Sequence, residues 1–188
     1  KMFVPFATLA DFFLVSARTA GQQGNNVSLV LVKTDHPGLK IEPLQTFDVT
    51  RSLCKLDLTD VPVSGFVGKP DEGWDLITAV QDLACVGLSA DSLGGAQQVL
   101  EMAVEYTKTR QQFGRPIASF QALKHMAAEM ISEIEPARSL VWYASYAFDR
   151  RATDAPRAAS IAKSHLSDVY TKCANKAVQL HGGIGVAM

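Results

Sequence analysis

The sequence predicts an α+β protein: an antiparallel β-portion followed by an up-down bundle of long α-helices. Short runs rich in β-branched and aromatic residues are confined to roughly the first seventy residues. Beyond Gly65 to Gly73, a stretch crowded with Gly, Pro and Asp, no strand pattern is expected, and apolar residues recur in steps of three and four. The boundary is therefore placed between residues 72 and 73.

In chain order, Phe12 to Arg18 and Val27 to Lys33 read as two strands joined by a polar turn through Gly21 and Asn26. After the turn signal His36-Pro37-Gly38 comes Leu39 to Phe47. Cys54, Leu56 and Leu58 then alternate with Lys55, Asp57 and Thr59, the mark of an antiparallel strand with one wet face. A first helix is expected from Trp74 to Lys108, with an apolar line through Leu76, Val80, Leu83, Gly87, Ala90, Gly94, Val99, Ala103 and Tyr106. Ser119 is the expected N-cap of a second helix carrying Phe120, Leu123, Ala127, Met130 and Ile134. Pro136 kinks that helix without ending it, because Leu140, Val141, Ala144 and Phe148 continue the pattern. Asp154 and Pro156 start a third, lined by Ile161, His165, Val169, Cys173 and Ala177 and stopped by Gly182-Gly183.

Composition excludes several classes. With 47% hydrophobic and 20% charged residues the chain is neither disordered nor low in complexity, and a formal charge of -1 without a basic arm argues against a nucleic-acid partner. Apolar stretches are interrupted by charges before the length of a membrane span, so none is expected. Cys54, Cys85 and Cys173 stand singly among apolar neighbours, which suggests reduced, buried thiols and a cytoplasmic location. No catalytic triad, HExxH or Walker loop is present, and His36, His125, His165 and His181 lack metal-ligand spacing. No metal site is expected, and a histidine on an apolar helix face is read as packed.

Two segments stand out. Thr107 to Ile117 joins two helices and carries two arginines, two glutamines and an aromatic residue, while Gln179-Leu180-His181-Gly182-Gly183-Ile184-Gly185 closes the third helix. The second also reads as an ordinary glycine C-cap, and it is no dinucleotide fingerprint, since its glycines follow a helix. Together, Arg110-Gln111-Gln112-Phe113-Gly114-Arg115-Pro116 with Phe120-Gln121, and the glycine-rich end with Gln179, Gly182, Gly183 and Gly185, resemble the acyl-CoA dehydrogenase family. Lys1 to Pro5 and Asp48 to Val63 resemble its middle β-domain.

The resemblance implies the second half of that β-domain plus an incomplete C-terminal four-helix bundle, in a protein about twice as long, that binds FAD. By it, Arg110 lies against the pyrophosphate, Phe113 packs on the adenosine side, Gln179 bonds the adenylate, and Gly182 and Gly183 admit the ligand past the backbone. Gln121 is as well read as a helix-start residue. Phe3 and Pro5 align with the family's flavin-facing Trp-x-Thr. Pro5 offers neither hydroxyl nor N–H, so that contact must differ. No catalytic residue is assigned, since the family's base lies beyond Met188, or in some members aligns near Ala84 and Cys85, with Asp82 and Asp91 the nearest carboxylates. The implied partners are an acyl-CoA substrate, further subunits in a homo-oligomer or a heteromer, and an electron-accepting flavoprotein. The alternatives are a non-catalytic subunit of a heteromeric enzyme and a flavin-free helical interaction module.

Overall fold

The computed structural model describes residues 1–18 and 26–186 and divides the chain into two compact units, Lys1–Thr78 and Ala79–Met188. The expected polar turn, apart from Asn26, lies outside the described residues.

Among the described residues, the N-terminal unit holds two three-stranded antiparallel sheets. Strands β1 (Val4–Pro5), β5 (Leu53–Leu58) and β4 (Leu39–Pro43) form one, in the order β1-β5-β4. Strands β2 (Phe12–Arg18), β3 (Val27–Lys33) and β6 (Gly65–Val67) form the other, in the order β2-β3-β6. Alternation decides which side chains face in. Phe13 opposes Val32 and Val15 opposes Val30, and these four pack with Ala7, Leu39, Cys54 and Leu56 into one apolar cluster. On the wet face of β5, Lys55 Nζ lies 2.6 Å from the Asp57 carboxylate. The stretch Gly65 to Gly73, expected as a connection, is corrected at its start: Gly65–Val67 is a strand that pairs with β3. Three residues are too few to show a period. Pro5 sits on edge strand β1, where its missing N–H leaves no gap between two strands.

Three long helices build the C-terminal part: α1 (Gly73–Thr109), α2 (Gln121–Asp149) and α3 (Ala155–His181). Leu93, Ala96, Leu100 and Ala103 of α1 meet Met130, Ile134, Ala137 and Val141 of α2 and Leu166, Val169, Cys173, Ala177 and Leu180 of α3. A second cluster is almost all alanine: Ala144, Ala147, Ala155, Ala158, Ala159 and Ala162 pack with Val86. Helix α2 runs through Pro136 unbroken, although the ring removes the N–H that would bond the Ser132 carbonyl. Glu129 and Glu133 of α2 pair with Lys176 and Lys172 of α3. Cys54 and Cys173 are buried free thiols, Cys85 is only half-buried, and burial pushes the Cys173 thiol up.

Several sequence expectations are corrected. Ser119 is not the N-cap; it lies in a 3-10 turn (Ile117–Ser119) and donates its hydroxyl to the Pro116 carbonyl at 2.8 Å, while Phe120 precedes α2 without a side-chain cap. Asp154 starts α3 as expected, as its N-cap residue with Pro156 in the first turn; its side chain makes no capping bond, and its carboxylate instead accepts a 2.6 Å hydrogen bond from the Tyr143 hydroxyl, which raises the phenol pKa.

The phase of two apolar lines also differs. In α1 the inward line is Val86, Ser89, Leu93, Ala96, Leu100, Ala103 and Thr107, whereas Leu76, Val80 and Leu83 are exposed. In α3, Ile161 is 44% exposed and His165 half-buried, and the core line runs through Ala158, Ala162, Leu166, Val169, Cys173 and Ala177. With apolar residues on both faces, α1 is, among the described residues, the one helix long and apolar enough to cross a membrane by length and composition, contrary to the expectation that no stretch would qualify. Asp82 and Asp91 fall inside it.

The corrected phase of α3 has a direct test. Leu166→Ala, at a fully buried site of α3, is expected to cost about 2–5 kcal/mol in urea unfolding. Ile161→Ala is expected to cost less than about 1 kcal/mol, and a reversed order would restore the original phase.

Candidate functional site

The end of α1 and the end of α3 converge. Helix α1 stops at Thr109 and Arg110 follows, pinned through its backbone on both sides. Its N–H donates to the Tyr106 carbonyl at 2.9 Å, and its carbonyl accepts the Ile117 N–H at 2.9 Å. The segment between is a minimal hairpin, in which β7 (Gln111–Gln112) pairs with β8 (Arg115–Pro116) across Phe113-Gly114. Both turn residues have positive φ, 54° at Phe113 and 75° at Gly114. That geometry is a type I′ turn, whose first central position normally takes Asn, Asp or Gly. An aromatic residue there is strained, and Phe113 is 90% exposed.

Helix α3 ends at Gly182, where φ is 63° and the N–H donates to the Gln179 carbonyl. A 3-10 turn, Gly182–Gly185, follows. A Cβ at Gly185 would stand 2.5 Å from the Val178 carbonyl oxygen, so the turn needs glycine there for close approach. A Cβ at Gly183 would meet nothing within 4 Å, so the backbone there borders open space.

These two ends enclose a cleft of about 410 Å³ lined by Tyr106, Arg110, Gln112, Gln179, His181, Gly182 and Gly183, with Ile117, Leu180 and Ile184 as apolar wall. Four sequence-predicted residues, Arg110, Gln179, Gly182 and Gly183, are thus brought together across about seventy residues of chain. Among the described residues, no ion pair or side-chain hydrogen bond engages the Arg110 guanidinium. Arg115 is different: its guanidinium lies 4.2 Å from the centre of the Phe120 ring, which Phe113 also meets edge-on at 6.0 Å. Phe113, expected on the same ligand, is not in the cleft wall, and neither is Gln121, the first residue of α2. Phe3 (φ 59°) and Pro5 are exposed residues of the N-terminal unit, apart in the chain from the cleft residues of the C-terminal unit.

Tyr106, Gln112 and His181 line the cleft without having been anticipated as site residues. The His181 ring stacks on Tyr106, with centroids 4.6 Å apart and planes 24° from parallel, and its Nδ1 lies 2.7 Å from the Ala177 carbonyl oxygen. A search for metal-ligand spacing among the histidines passes over it. Its position directly before the paired glycines is the signal that finds it. Among the described residues no group of three or more His, Cys, Asp or Glu is placed to hold a metal ion.

A guanidinium without a partner among the described residues, a side-chain amide, a held imidazole and bare glycine backbone line open space, donor chemistry that suits an anionic, phosphate-bearing ligand. The model of the acyl-CoA dehydrogenase C-terminal domain matches residues 71–188, and the chain belongs to the acyl-CoA dehydrogenase family. An acyl-CoA dehydrogenase of Bacillus subtilis (strain 168) is 34% identical over 190 residues, covering 98% of this chain and 50% of that protein. The butyryl-CoA dehydrogenase of Megasphaera elsdenii superposes with a TM-score of 0.90 at 31% identity, over 100% of this chain and 50% of that one. PigA, solved with FAD and proline, superposes at 0.91 with 27% identity, over 99% of this chain and 50% of its own. The chain therefore spans about half the length of the relatives it matches.

The strained turn makes a stability prediction. Phe113→Asn is expected to raise the thermal midpoint, by about 1 kcal/mol of relieved left-handed strain, since Asn accepts positive φ more readily. A lower midpoint would mean that contact with Phe120 outweighs the strain.

Proposed function

We propose that this chain is the part of an FAD-dependent acyl-CoA dehydrogenase that grips the ADP portion of the flavin, in an enzyme that introduces a double bond between the α and β carbons of an acyl-CoA thioester. The observation that carries the reading is the convergence of Arg110 with Gln179, Gly182 and Gly183 on one cleft. The residues suit the group: a guanidinium without a protein partner matches a pyrophosphate, and the open space over Gly183 lets a phosphate or ribose approach the main chain. Bound FAD would supply the acceptor for the hydride leaving the β carbon.

This chain's own groups bind and orient. The Arg110 main chain is fixed by its bonds to Tyr106 and Ile117, so the guanidinium fork starts from a set position and loses less freedom on binding. Gln179 offers both donor and acceptor from the last turn of α3. Phe113, exposed at the tip of its hairpin and absent from the cleft wall, is assigned to a different part of the ligand or to a neighbouring subunit. Phe3 and Pro5 belong to the same proposal as flavin-ring neighbours, with Pro5 restricted to van der Waals contact. Proton abstraction from the α carbon needs a base, and neither Ala84 nor Cys85 on α1 is a carboxylate, so the base is assigned elsewhere in the enzyme. Assembly as an oligomer, electron transfer to a second flavoprotein and a cytoplasmic location complete the proposal.

In the full-length protein, Arg110→Ala is expected to abolish or strongly weaken FAD retention, read from flavin absorbance after gel filtration. Arg110→Lys, which keeps the charge but loses the fork, is expected to fall between. A wild-type protein that takes up no FAD would sink the reading and leave a helical interaction module.

A further inference from the structure

We infer that one face of α2 is a contact surface for a second copy of this chain, the two α2 helices lying antiparallel across a two-fold axis near Arg138; the inference rests on the assembly proposed above but not on the flavin. Ile131, Glu135, Arg138, Trp142 and Tyr146 follow one another in steps of four, three, four and four, so they share one stripe of the helix. Trp142 is 67% exposed and Tyr146 58%, large aromatic side chains left in water on a helix whose opposite face is buried. Arg150, one turn further, lies over the Tyr146 ring at 5.7 Å and has no ion pair among the described residues. Exposed Trp, Tyr and Arg on one stripe are the residue types that carry contacts between proteins.

The first half of the same stripe is the complement of the second. Ala127, Ala128 and Ile131 border a groove of about 610 Å³ between α2 and α1, and Glu101 and Glu105 of α1 stand at its edge. The Glu101 carboxylate accepts a 2.7 Å hydrogen bond from the Gln97 amide and pairs with no cation among the described residues. An aromatic, basic stretch thus lies in line with an apolar, acidic one. Fifteen residues of one continuous helix, about 22 Å, separate Ile131 from Tyr146, so a single chain cannot bring the two stretches together. A second copy can, and a two-fold axis makes the match twice. Tyr146 of one copy then meets Ile131 of the other, Trp142 meets Glu135 and the stem of Arg138, and Arg150 comes over Ala127 beside Glu101.

The test is the mass of the full-length protein in sedimentation velocity, with far-UV circular dichroism to check that each variant keeps its helices. Trp142→Glu sets a charge in the middle of the contact and, at an exposed position, spares the core. It is expected to weaken self-association by about tenfold or more and so to lower the assembly mass, since a two-fold contact carries the substitution twice. Arg150→Glu and Glu101→Arg are each expected to weaken it by about two- to fivefold, and the double variant, which restores opposite charges across the axis, to recover most of that loss. Unchanged mass in Trp142→Glu would overturn the inference; a thermal midpoint lowered at the same time would assign the face to the remainder of the same chain. A double variant no better than the single ones would overturn the antiparallel pairing. A wild type that retains FAD as a monomer would overturn the inference and leave the flavin reading standing.

Discussion

The packing of the last turns of α1 against the last turns of α3 decides where every polar group of the cleft stands. Leu100 and Ala103 seat α1 against Ala177 and Leu180, and one turn further the Tyr106 ring lies against His181. Arg110, four residues on and hydrogen-bonded back to Tyr106, is thereby delivered beside Gln179 and the paired glycines. None of these residues is near another in sequence across the two helices. Apolar burial sets their distance, and the site inherits its geometry from the core.

What is strained and what is relaxed are divided accordingly. The α3 end solves its turn with glycines, Gly182 for a positive φ and Gly185 for contact with the Val178 carbonyl. The α1 end places Phe113 where glycine or asparagine would sit without strain and leaves the ring almost wholly exposed. Strain held at an exposed aromatic residue fits a side chain kept for what it touches in a larger assembly, at some cost to the hairpin.

Much of the architecture was legible because long elements repeat their signal. The strands Phe12–Arg18, Val27–Lys33 and Leu53–Leu58 show β-branched runs or clear alternation, and the three helices are long enough for steps of three and four to recur many times. Strands of two or three residues, such as Val4–Pro5, Gly65–Val67 and the Phe113 hairpin, contain no full period and could not be seen. Helix phase was lost for a different reason. Strict steps of four along α3 drift by about 40° each around a 3.6-residue helix, so the line from Cys173 back to Ile161 slides off the buried face, while the core mixes steps of three and four. On α1, apolar residues on two faces make the phase ambiguous. In the site, Arg110, Gln179, Gly182 and Gly183 were found because each sits in a motif; His181 sits in the same glycine-rich motif, but its stack on Tyr106, seventy-five positions away, and its bond to a backbone carbonyl leave no local pattern.

The three-helix core is built from two kinds of material. Around Met130, Ile134 and Leu166 large side chains fill the space between helices, whereas around Ala144, Ala147, Ala159 and Ala162 the backbones themselves come close and methyl groups suffice. The two ends therefore fail in opposite directions. Near the cleft, truncation opens cavities and lets the helix ends wander; at the alanine end, any enlargement wedges the helices apart and, through three rigid rods, moves their far ends as well. Sequence drift in this protein is thus confined from both sides: the cleft end cannot shrink, and the end remote from it cannot grow.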